Sequence, residues 1–550
     1  MIMHTTAVTT DARGSAPPPA GWSLLRRAGF RSLWSALLGS QLVVWMHNVG
    51  AVTVVASLSD SATLIALVQT ATSLPAVVLS PLVGATADIV DRRRMVLAAQ
   101  AWMTLAIGTL AALTLADVVT AGAALALTLC LGAGSAASIL AYQALTPEFV
   151  SRQELPQAVG LNSVAINLAR AVGPALAGLL IVALSVGALF ALEAGLVLIL
   201  MVIVFRLRAP TPAREHGREP LGAALRAGVR YVRFSGLARP VLARAAIFSI
   251  CASALWALLP VVAFGPLDLD SRGLGLLVGC VGAGAIAGAT VLPRIRRRVA
   301  LDPMIGIATV GLAAGLAVLA WVREPALVGL GLVFAGASWL TVLASLNTAA
   351  QRAAAGWVRA RTLGGFQLVF QGSLAVGSFG WGLTASAAGV RTALMIAAGG
   401  LLAGAVVARR WPLAPGEDVD LTPAAGWSEP ELTIEPAPHD GPVLVTLEYH
   451  VPEQRAAEFV DAMQQLGRVR RRDGAFAWDL YEDLEEPGRY LETFTVGSWS
   501  EHMRQHERRT VADLEIEERV KAMHDPGSTP VARHLLWAPA ALRARSRERD

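Results

Sequence analysis

One stretch of this chain combines a small residue, two acids and a run of arginines between two long apolar segments: Gly84, Asp88, Asp91, Arg92 and Arg93. A glycine allows two helices to approach closely. An acid followed by arginines at a helix end can form ion pairs with neighbouring helix termini, and pairs of this kind can stabilise one conformation over another. The alternative interpretation is a basic cluster that only orients a membrane protein.

A second pattern lies in the apolar segment 158–184, where three glycines and a proline share one stretch: Gly160, Gly173, Pro174 and Gly178. Small residues allow tight packing, and Pro174 removes a backbone hydrogen bond and bends the helix. Ordinary packing of small residues in a helix bundle would give the same pattern.

Polar residues inside apolar segments form a third set, because burying them in a bilayer is costly unless they face partners or water. The candidate cavity or coupling residues are Arg170, Glu193, His47, Asn48, Asn167, Asn347, Gln367 and Gln371. Arg170, near mid-depth, either serves a cavity or gate or bonds two helices together. Glu193 is a candidate proton carrier, and a direct pair with Arg170 would require two poorly matched depths. His47 and Asn48 either line a substrate path or form interhelical hydrogen bonds.

The amino-acid composition indicates that the segments carrying these residues lie in a lipid bilayer. Apolar residues make up 54% of 550 residues, charged residues 16%, and mean hydropathy is +0.53. A soluble chain carries about a quarter charged residues. Twelve segments are long enough to cross a bilayer as helices: 31–56, 63–85, 95–115, 120–146, 158–184, 186–206, 240–265, 273–293, 302–321, 324–350, 361–386 and 388–410. The predicted fold class is an all-α polytopic membrane protein of twelve transmembrane helices.

Arginines between these segments alternate from one side of the predicted bundle to the other. The run Arg92 to Arg94, the connection 207–239 and the run Arg296 to Arg298 share one side, which we call the arginine-rich side. The opposite loops, on the arginine-poor side, hold few arginines. The positive-inside rule then places both termini in the cytoplasm and the chain in the inner (cytoplasmic) membrane. This placement also explains the net charge of +5 without nucleic-acid binding. Residues 1–21 lack the apolar core of a cleavable signal peptide.

The connection 207–239 divides the segments into six and six, and spacing supports a repeat. Gly173-Pro174 with Gly178 is echoed by Gly377-Ser378 with Gly382. Two parallel six-helix repeats are the layout of the major facilitator fold. The predicted regions are a disordered N-terminus 1–21, bundles 22–206 and 240–410, the cytoplasmic linker 207–239, a flexible linker 411–440 expected not to pack, a soluble domain 441–540 and a tail 541–550.

The soluble domain alternates as βαββαβ, which predicts a small α+β ferredoxin-like sandwich. His502 and His506 are four residues apart on a predicted helix and could bind a metal. No third ligand has an obvious spacing, so an ordinary surface pair is favoured and no metal is expected. The three cysteines lie inside apolar segments and indicate neither a disulfide framework nor a zinc site.

Several of these stretches resemble a known family. Gly84, Asp88, Arg92 and Arg93 resemble motif A of the major facilitator superfamily, although Ile89 and Asp91 depart from it. Gly160, Gly173, Pro174 and Gly178 resemble motif C, which is associated with exporters. The run 145–181, the stretch from Trp357 to Gln371 and the stretch from Ser498 to Thr510 resemble the enterobactin-exporter-like branch, also described as transmembrane secretion effectors. The soluble domain also resembles the antibiotic-biosynthesis-monooxygenase type of dimeric α/β barrel.

The resemblance implies a secondary active transporter rather than an enzyme: a proton-coupled exporter of a small amphipathic molecule, such as a siderophore, drug or secondary metabolite, that works by alternating access. Proton coupling follows from the resemblance alone. The alternative is a transporter whose tail modifies or senses the exported compound. Expected partners are the lipid bilayer, a small-molecule substrate, protons and a second copy bound through the soluble domain. No cofactor and no nucleic acid are expected.

Overall fold

The computed structural model describes residues 21–86, 91–151, 154–207, 221–413, 419–424, 432–525 and 530–541. Long helices dominate because a backbone in lipid must satisfy its own hydrogen bonds. The first half contains α1 Ala28–Leu58, α2 Ala62–Thr86, α3 Arg92–Leu115, α4 Ala121–Leu145, α5 Leu155–Ala183 and α6 Val186–Arg206, and a shorter helix, α7 Leu221–Phe234, follows. The second half contains α8 Ala238–Phe264, α9 Ser271–Arg296, α10 Leu301–Trp321, α11 Pro325–Arg352, α12 Arg359–Ala388 and α13 Val390–Ala408.

These twelve long helices overlap the twelve predicted segments. Within the described residues, eleven helices are both long and apolar enough to cross a membrane. The exception is α12, whose glycines, serines and glutamines lower its hydropathy although it has 30 residues. It packs against α2 and α8, so much of its surface faces protein instead of lipid. The polytopic helical fold is thus confirmed.

Side-chain caps begin several helices on the arginine-poor side. Thr120 accepts a hydrogen bond from the backbone N–H of Ala123 at 3.2 Å, and Asp270 accepts one from Gly273 at 2.8 Å. Each cap satisfies a backbone donor that has no partner within its helix. The loops before α4 and α9 therefore end at helix N-termini that side-chain caps stabilise.

Glycines on α5 and α12 make equivalent contacts in the two halves. A Cβ atom added at Gly173 would lie 2.8 Å from Trp45 Cβ on α1, and Gly377 approaches the backbone of Ile250 on α8 in the same way. One turn further, Gly178 faces α9, where its Cβ would lie 2.9 Å from the Ser271 carbonyl oxygen. The echo Gly173/Gly178 and Gly377/Gly382 thus marks equivalent helix crossings.

Gly382 completes this pattern by facing α2, since its added Cβ would lie 3.1 Å from Thr63 Cα. Hydrogen bonds also join the halves toward the arginine-poor side. Thr63 Oγ1 donates to the Gly382 carbonyl at 3.1 Å, and Thr53 Oγ1 donates to Ser271 Oγ at 3.2 Å. Toward the arginine-rich side, a Cβ at Gly160 would meet no atom within 4 Å. At the glycines that lie between the halves, the approach is closer toward the arginine-poor end: a Cβ at Gly382 would lie 2.7 Å from Ala66 Cβ, whereas one at Gly372, nearer the middle, would lie 3.6 Å from Val77.

The soluble tail forms an antiparallel sheet in the order β2-β3-β1-β4. Its elements are β1 Val443–His450, α14 Ala456–Asp473, β2 Ala477–Glu482, β3 Arg489–Val496, α15 Trp499–Arg508, α16 Val511–Lys521 and β4 Val531–Leu536. This is the predicted βαββαβ sandwich. Alternate residues of β3 face the helices: Phe494 is buried with Phe459 of α14, whereas Leu491 faces outward.

Part of the predicted flexible linker packs against this tail. The backbone N–H of Val511 donates to the Thr422 carbonyl at 3.0 Å, and that of Ala424 bonds the Arg509 carbonyl. The expectation that the linker does not pack is therefore wrong for 420–424. Backbone pairing needs no apolar side chains, which explains why composition concealed it.

Candidate functional site

Aromatic side chains from both halves meet near the middle of the bundle. Trp45 of α1 and Trp256 of α8 lie with ring centroids 5.6 Å apart, which joins the halves. Trp256 contacts Trp339 of α11 at 5.6 Å, and Trp339 contacts Phe370 of α12 at 6.1 Å. We call these four residues the aromatic cluster. Phe366 of α12 lies next to the cluster and stacks on Phe370, with ring centroids 6.2 Å apart.

Arg170 of α5 brings a positive charge to the aromatic cluster. Its guanidinium carbon lies 5.2 Å from the Trp45 ring centroid, a cation–π distance. Its Nη1 donates a long hydrogen bond, 3.4 Å, to Asn167 Oδ1. Its Nε is buried without a hydrogen-bond partner, and so is Nε1 of Trp339. Two unsatisfied donors beside aromatic faces are suited to an anionic or polar group that carries rings.

Glu193 pairs with His47, a combination that sequence spacing did not predict. His47 Nδ1 lies 3.1 Å from Glu193 Oε2, and His47 Nε2 lies 3.3 Å from Thr128 Oγ1. His47 is 1% exposed and Glu193 is fully buried, and Oε1 of Glu193 has no hydrogen-bond partner. Glu193 therefore pairs with His47 and not with Arg170, because α6 packs behind α1 and away from the aromatic cluster. An acid and an imidazole in contact can exchange one proton between them.

The remaining candidate cavity residues are less closely tied to a site. Asn167 donates to the Ser163 carbonyl of its own helix at 2.8 Å, and Asn347 accepts a hydrogen bond from Gln351 at 2.8 Å on α11. Asn48 and Gln371 are half-buried, and Gln367 is exposed. Asn48, Asn347, Gln367 and Gln371 stay candidates by position along the helices, whereas Arg170 with Asn167 and the His47–Glu193 pair lie at the contacts described above.

The arginines after α2 connect helix ends within the first half. Arg92 Nη1 donates to Glu148 Oε1 at 3.0 Å, and Arg93 Nε donates to the Val204 carbonyl at the end of α6 at 3.1 Å. Asp91 caps α3 by accepting from the Arg94 backbone N–H at 3.0 Å. Gly84 lies on the last turns of α2, and Asp88 lies outside the described residues. The role of this loop as a conformational latch stays a prediction.

Two acids that the sequence interpretation missed also form ion pairs at these helix ends. Glu148 accepts a hydrogen bond from Arg92, and Glu154 accepts hydrogen bonds from both Nη atoms of Arg27, at 2.9 and 2.6 Å. Hydrogen bonds from Arg27 and Ser151 lower the pKa of Glu154 to about 2. Both acids flank the start of α5, in the run that carries the family resemblance. That local signal could have identified them.

The glycines of the second pattern differ in what they contact. Gly173 and Gly178 lie at the crossings with α1 and α9, and the carbonyl of Pro174 would lie 2.9 Å from a Cβ at Gly275. Gly160 faces open space. Three of the four residues therefore lie at close helix contacts.

The histidines of the tail are more buried than the predicted surface pair. His502 is 1% exposed, and its Nε2 lies 3.4 Å from Nε2 of His506. His534 of β4 joins them, with its ring 4.9 Å from that of His502. Burial lowers the pKa of His502 to about 4 and that of His506 to about 3. No group of three or more His, Cys, Asp or Glu among the described residues is arranged to hold a metal ion.

The tail also contacts the membrane-embedded halves through α7. Arg230 Nη2 of α7 lies 2.8 Å from Glu501 Oε1 of α15. The guanidinium of Arg508 lies 4.6 Å from the ring centroid of Trp357, in the turn between α11 and α12. Tyr231 donates to the Ala353 carbonyl in that turn at 2.9 Å. One set of contacts thus connects the tail, α7 and the second half.

Comparisons with known proteins agree with this architecture. A family model described as a transmembrane secretion effector matches residues 19–541. The structure of a D-xylose–proton symporter is similar over 71% of this chain and 99% of its own, with 13% identity and a TM-score of 0.57. An inward-facing, unoccupied bacterial homolog of the human lysosomal transporter Spinster covers 73% of this chain and 98% of its own, with 12% identity and a TM-score of 0.56.

The nucleoside transporter NupG is similar over 70% of this chain and 99% of its own, with 14% identity and a TM-score of 0.56. At such identities the likeness concerns the fold alone. No curated protein sequence matches this chain.

Proposed function

The chain belongs to the transmembrane secretion effector family of transporters, and from this premise we propose that it is a proton-coupled exporter of a small amphipathic anion. The observation that carries the proposal is Arg170 beside the aromatic cluster, with Trp45 and Trp256 reaching across from opposite halves. A ligand bound there contacts both halves, so their relative movement changes its surroundings. Alternating access requires such a site.

The chemistry of the cluster favours an aromatic or conjugated substrate with one negative charge. Ring faces of Trp45, Trp256 and Trp339 offer stacking surfaces, and stacked aromatic pairs contribute about 1 kcal/mol beyond their buried area. The free Nε of Arg170 and Nε1 of Trp339 are donors that an anionic oxygen would satisfy. Siderophores, drugs and secondary metabolites with phenolate or carboxylate groups fit this description.

Arginine placement and the glycine-proline helix support the direction of transport. The arginine-rich side is assigned to the cytoplasm of the inner membrane by the positive-inside rule. The closest contacts of the glycines between the halves lie toward the arginine-poor end, which favours access to the binding region from the arginine-rich side. Gly173, Pro174 and Gly178 belong to the stretch that resembles the exporter motif, and they lie at close contacts between helices. A substrate would enter from the cytoplasm and leave on the opposite side.

The His47–Glu193 pair is the proposed proton-coupling site. Both side chains are buried inside the first half, and Glu193 Oε1 lacks a partner. Protonation of this pair changes the charge that α1 carries two residues from Trp45. Because α1 carries both His47 and Trp45, a change of charge at the coupling site can influence the conformation of the substrate site.

Binding tests the anion site. The anionic probe anilinonaphthalenesulfonate should bind the purified protein, and Arg170→Gln should weaken this binding by about ten- to a hundredfold, the range of a hydrogen bond to a charged group. Phenylnaphthylamine, which lacks the sulfonate, should be affected little. Arg391→Gln is the matched control, since Arg391 also lies over a tryptophan, Trp321, at 4.4 Å but outside the cluster. Equal loss in both variants would contradict the assignment.

Transport tests the coupling site. In inverted vesicles, Glu193→Gln should abolish uphill accumulation of the probe driven by a proton gradient but retain exchange of probe against probe. A glutamine keeps the size of the side chain and cannot release a proton in this range. Gradient-driven accumulation at the wild-type rate would refute the role of Glu193.

A second candidate function, regulation of transport by the tail, is favoured by the contacts of α7. The pKa of Glu501 is lowered because the charges and hydrogen bonds of Arg508 and Arg230 outweigh the effect of burial. Glu501→Gln should release the tail from α7 and change the transport rate, measured together with protease cleavage near residue 440. Glu507→Gln, on the exposed face of the same helix, should change neither. Release of the tail at an unchanged rate would exclude this regulation.

The uncovered face of the tail sheet is the proposed surface for a second copy of this chain. Leu535 of β4 is 49% exposed and Leu491 of β3 is 37% exposed, both on the face away from the helices. Two such faces would cover each other as in a dimeric α/β barrel. Leu535→Arg should convert a dimer into a monomer by mass measurement in detergent, and an unchanged mass would oppose the proposal.

A further inference from the structure

A cleft in the second half lies apart from the aromatic cluster. It has a volume of about 720 Å³ and is lined by α8, α10, α11 and α13. Phe248 forms part of its inner wall and separates it from Trp339, whose ring it contacts at 5.6 Å. The cleft therefore runs behind the proposed substrate site and has no role in the transport cycle described above.

The cleft extends from the arginine-rich surface to near the middle of the bilayer. On α10 its lining runs from Asp302 to Val310, and on α13 from Arg409 to Leu401. Eight residues of helix span about 12 Å, whereas one leaflet of the hydrocarbon core is about 15 Å thick. Its depth is thus close to that of one acyl chain in the leaflet on this side.

The outer wall of the cleft opens toward lipid. Ile307 and Val310 of α10 are 69% and 51% exposed, and Val406 of α13 is 61% exposed. Trp411, just beyond α13, is 45% exposed, and tryptophans concentrate at the level of lipid headgroups. The mouth of the cleft therefore lies at headgroup depth, and its apolar body lies among acyl chains.

The rim carries a net positive charge. Arg244 is 7% exposed and contacts Asp302 and the Ala408 carbonyl through its Nη atoms. Its Nε is buried without a hydrogen-bond partner. Arg409 also lines the mouth and is exposed. Two arginines against one aspartate leave one positive charge and one unsatisfied donor, which are complementary to a phosphate group.

We infer that this cleft binds one anionic phospholipid from the leaflet on the arginine-rich side. Its phosphate would lie beside Arg409 and Nε of Arg244, and one acyl chain would fill the space between α10 and α13. Basic pockets between membrane helices bind lipid headgroups by the same combination of charge and apolar depth. The inference depends neither on export nor on proton coupling.

Photochemical labelling tests this site in the full chain. The protein is reconstituted in phosphatidylcholine vesicles that contain phosphatidylglycerol with a photoactivatable acyl chain, and labelled peptides are located by mass spectrometry. Labels should concentrate on α10 and α13. Arg409→Ala should lower labelling there about fivefold, the factor expected from one arginine at a membrane surface. Arg410→Ala, the neighbouring exposed arginine that does not line the cleft, should leave it unchanged.

A second variant fills the cleft without removing charge. Gly306 lines it, and a Cβ there would meet no atom within 4 Å, so Gly306→Leu should fold and exclude the acyl chain. Gly195→Leu, at an equally open position on α6, is its control. Labelling unaffected by Gly306→Leu would overturn the site. Equal labelling by photoactivatable phosphatidylcholine, insensitive to Arg409→Ala, would overturn the preference for an anionic lipid.

Discussion

The contact between Gly178 and α9 allows a sharp test of how the halves move. A Cβ at Gly178 would lie 2.9 Å from the Ser271 carbonyl oxygen and 3.2 Å from Gly275 Cα. Both are backbone atoms, so a rotamer change cannot relieve the contact. Gly178→Ala should therefore move α5 away from α9 and favour the conformation in which the arginine-poor end is open.

The magnitude follows from the geometry. Ordinary van der Waals contact begins near 3.4 Å, so the helices must separate by about half an ångström. Overpacking of this kind costs about 1–3 kcal/mol. If only the closed conformation carries this cost, the ratio of open to closed populations rises about five- to 150-fold. Alanine also stabilises a helix by about 1 kcal/mol relative to glycine, in both conformations.

Distances between spin labels measure the outcome. Labels at Val118→Cys and Arg323→Cys, in loops of opposite halves on the arginine-poor side, should report longer distances in Gly178→Ala, in a background where Cys130, Cys251 and Cys280 are alanine. Gly160→Ala is the control, because its Cβ meets no atom within 4 Å. Identical distance distributions in the two variants would refute the proposed role of the close contact.

Two further predictions concern the tail, both measured by hydrogen exchange of residues 441–525 in the full chain. The lowered pKa values of His502 and His506, about 4 and about 3, mean that the unfolded state binds more protons below pH 6.5. Lowering the pH should therefore reduce stability, by about 2 kcal/mol at pH 5 for His502 and by less for the more exposed His506. The double variant His502→Gln/His506→Gln should keep only the part of the slope that comes from His524 and His534, whose pKa values burial also lowers; an unchanged slope would contradict the assignment. Buried Glu492 accepts from Trp478 at 2.9 Å and pairs with Arg470 at 3.3 Å, so Glu492→Gln should destabilise the tail by about 3 kcal/mol. Exposed Glu486→Gln should change stability by less than about 0.5 kcal/mol, and similar losses in both variants would refute this network.

Periodic features were predicted well from sequence because each depends on local chemistry. Apolar runs of about twenty residues predict spanning helices wherever they occur. Alternation in 443–451 and 475–481 predicts strands in the same way. The weakest case is α12, whose small and polar residues are tolerated because α2 and α8 cover them. Its place in the bundle depends on packing as well as on composition.

Partner identity was predicted poorly. Arg170 and Glu193 are opposite charges inside the first half whose pairing the sequence left open, yet each has a different partner, Trp45 and His47. The position of a residue along its helix predicts its depth in the membrane. The neighbour that its side chain faces depends on which helix packs at that position. The linker residues 420–424 were missed because their bonds use the backbone, which every residue shares.

The amino-acid sequence by itself determined that this chain is a polytopic helical membrane protein with a separate α+β tail, because hydropathy and strand alternation are properties of short segments. It also contains the repeated glycine spacing of Gly173 and Gly178 in the first half and of Gly377 and Gly382 in the second. Only the tertiary structure decided that these glycines join α5 to α1 and α9, and α12 to α8 and α2. The same is true of the aromatic cluster, the His47–Glu193 pair and the lipid-facing cleft, since each combines residues more than 80 positions apart. Contacts at such separations follow from how helices pack against one another.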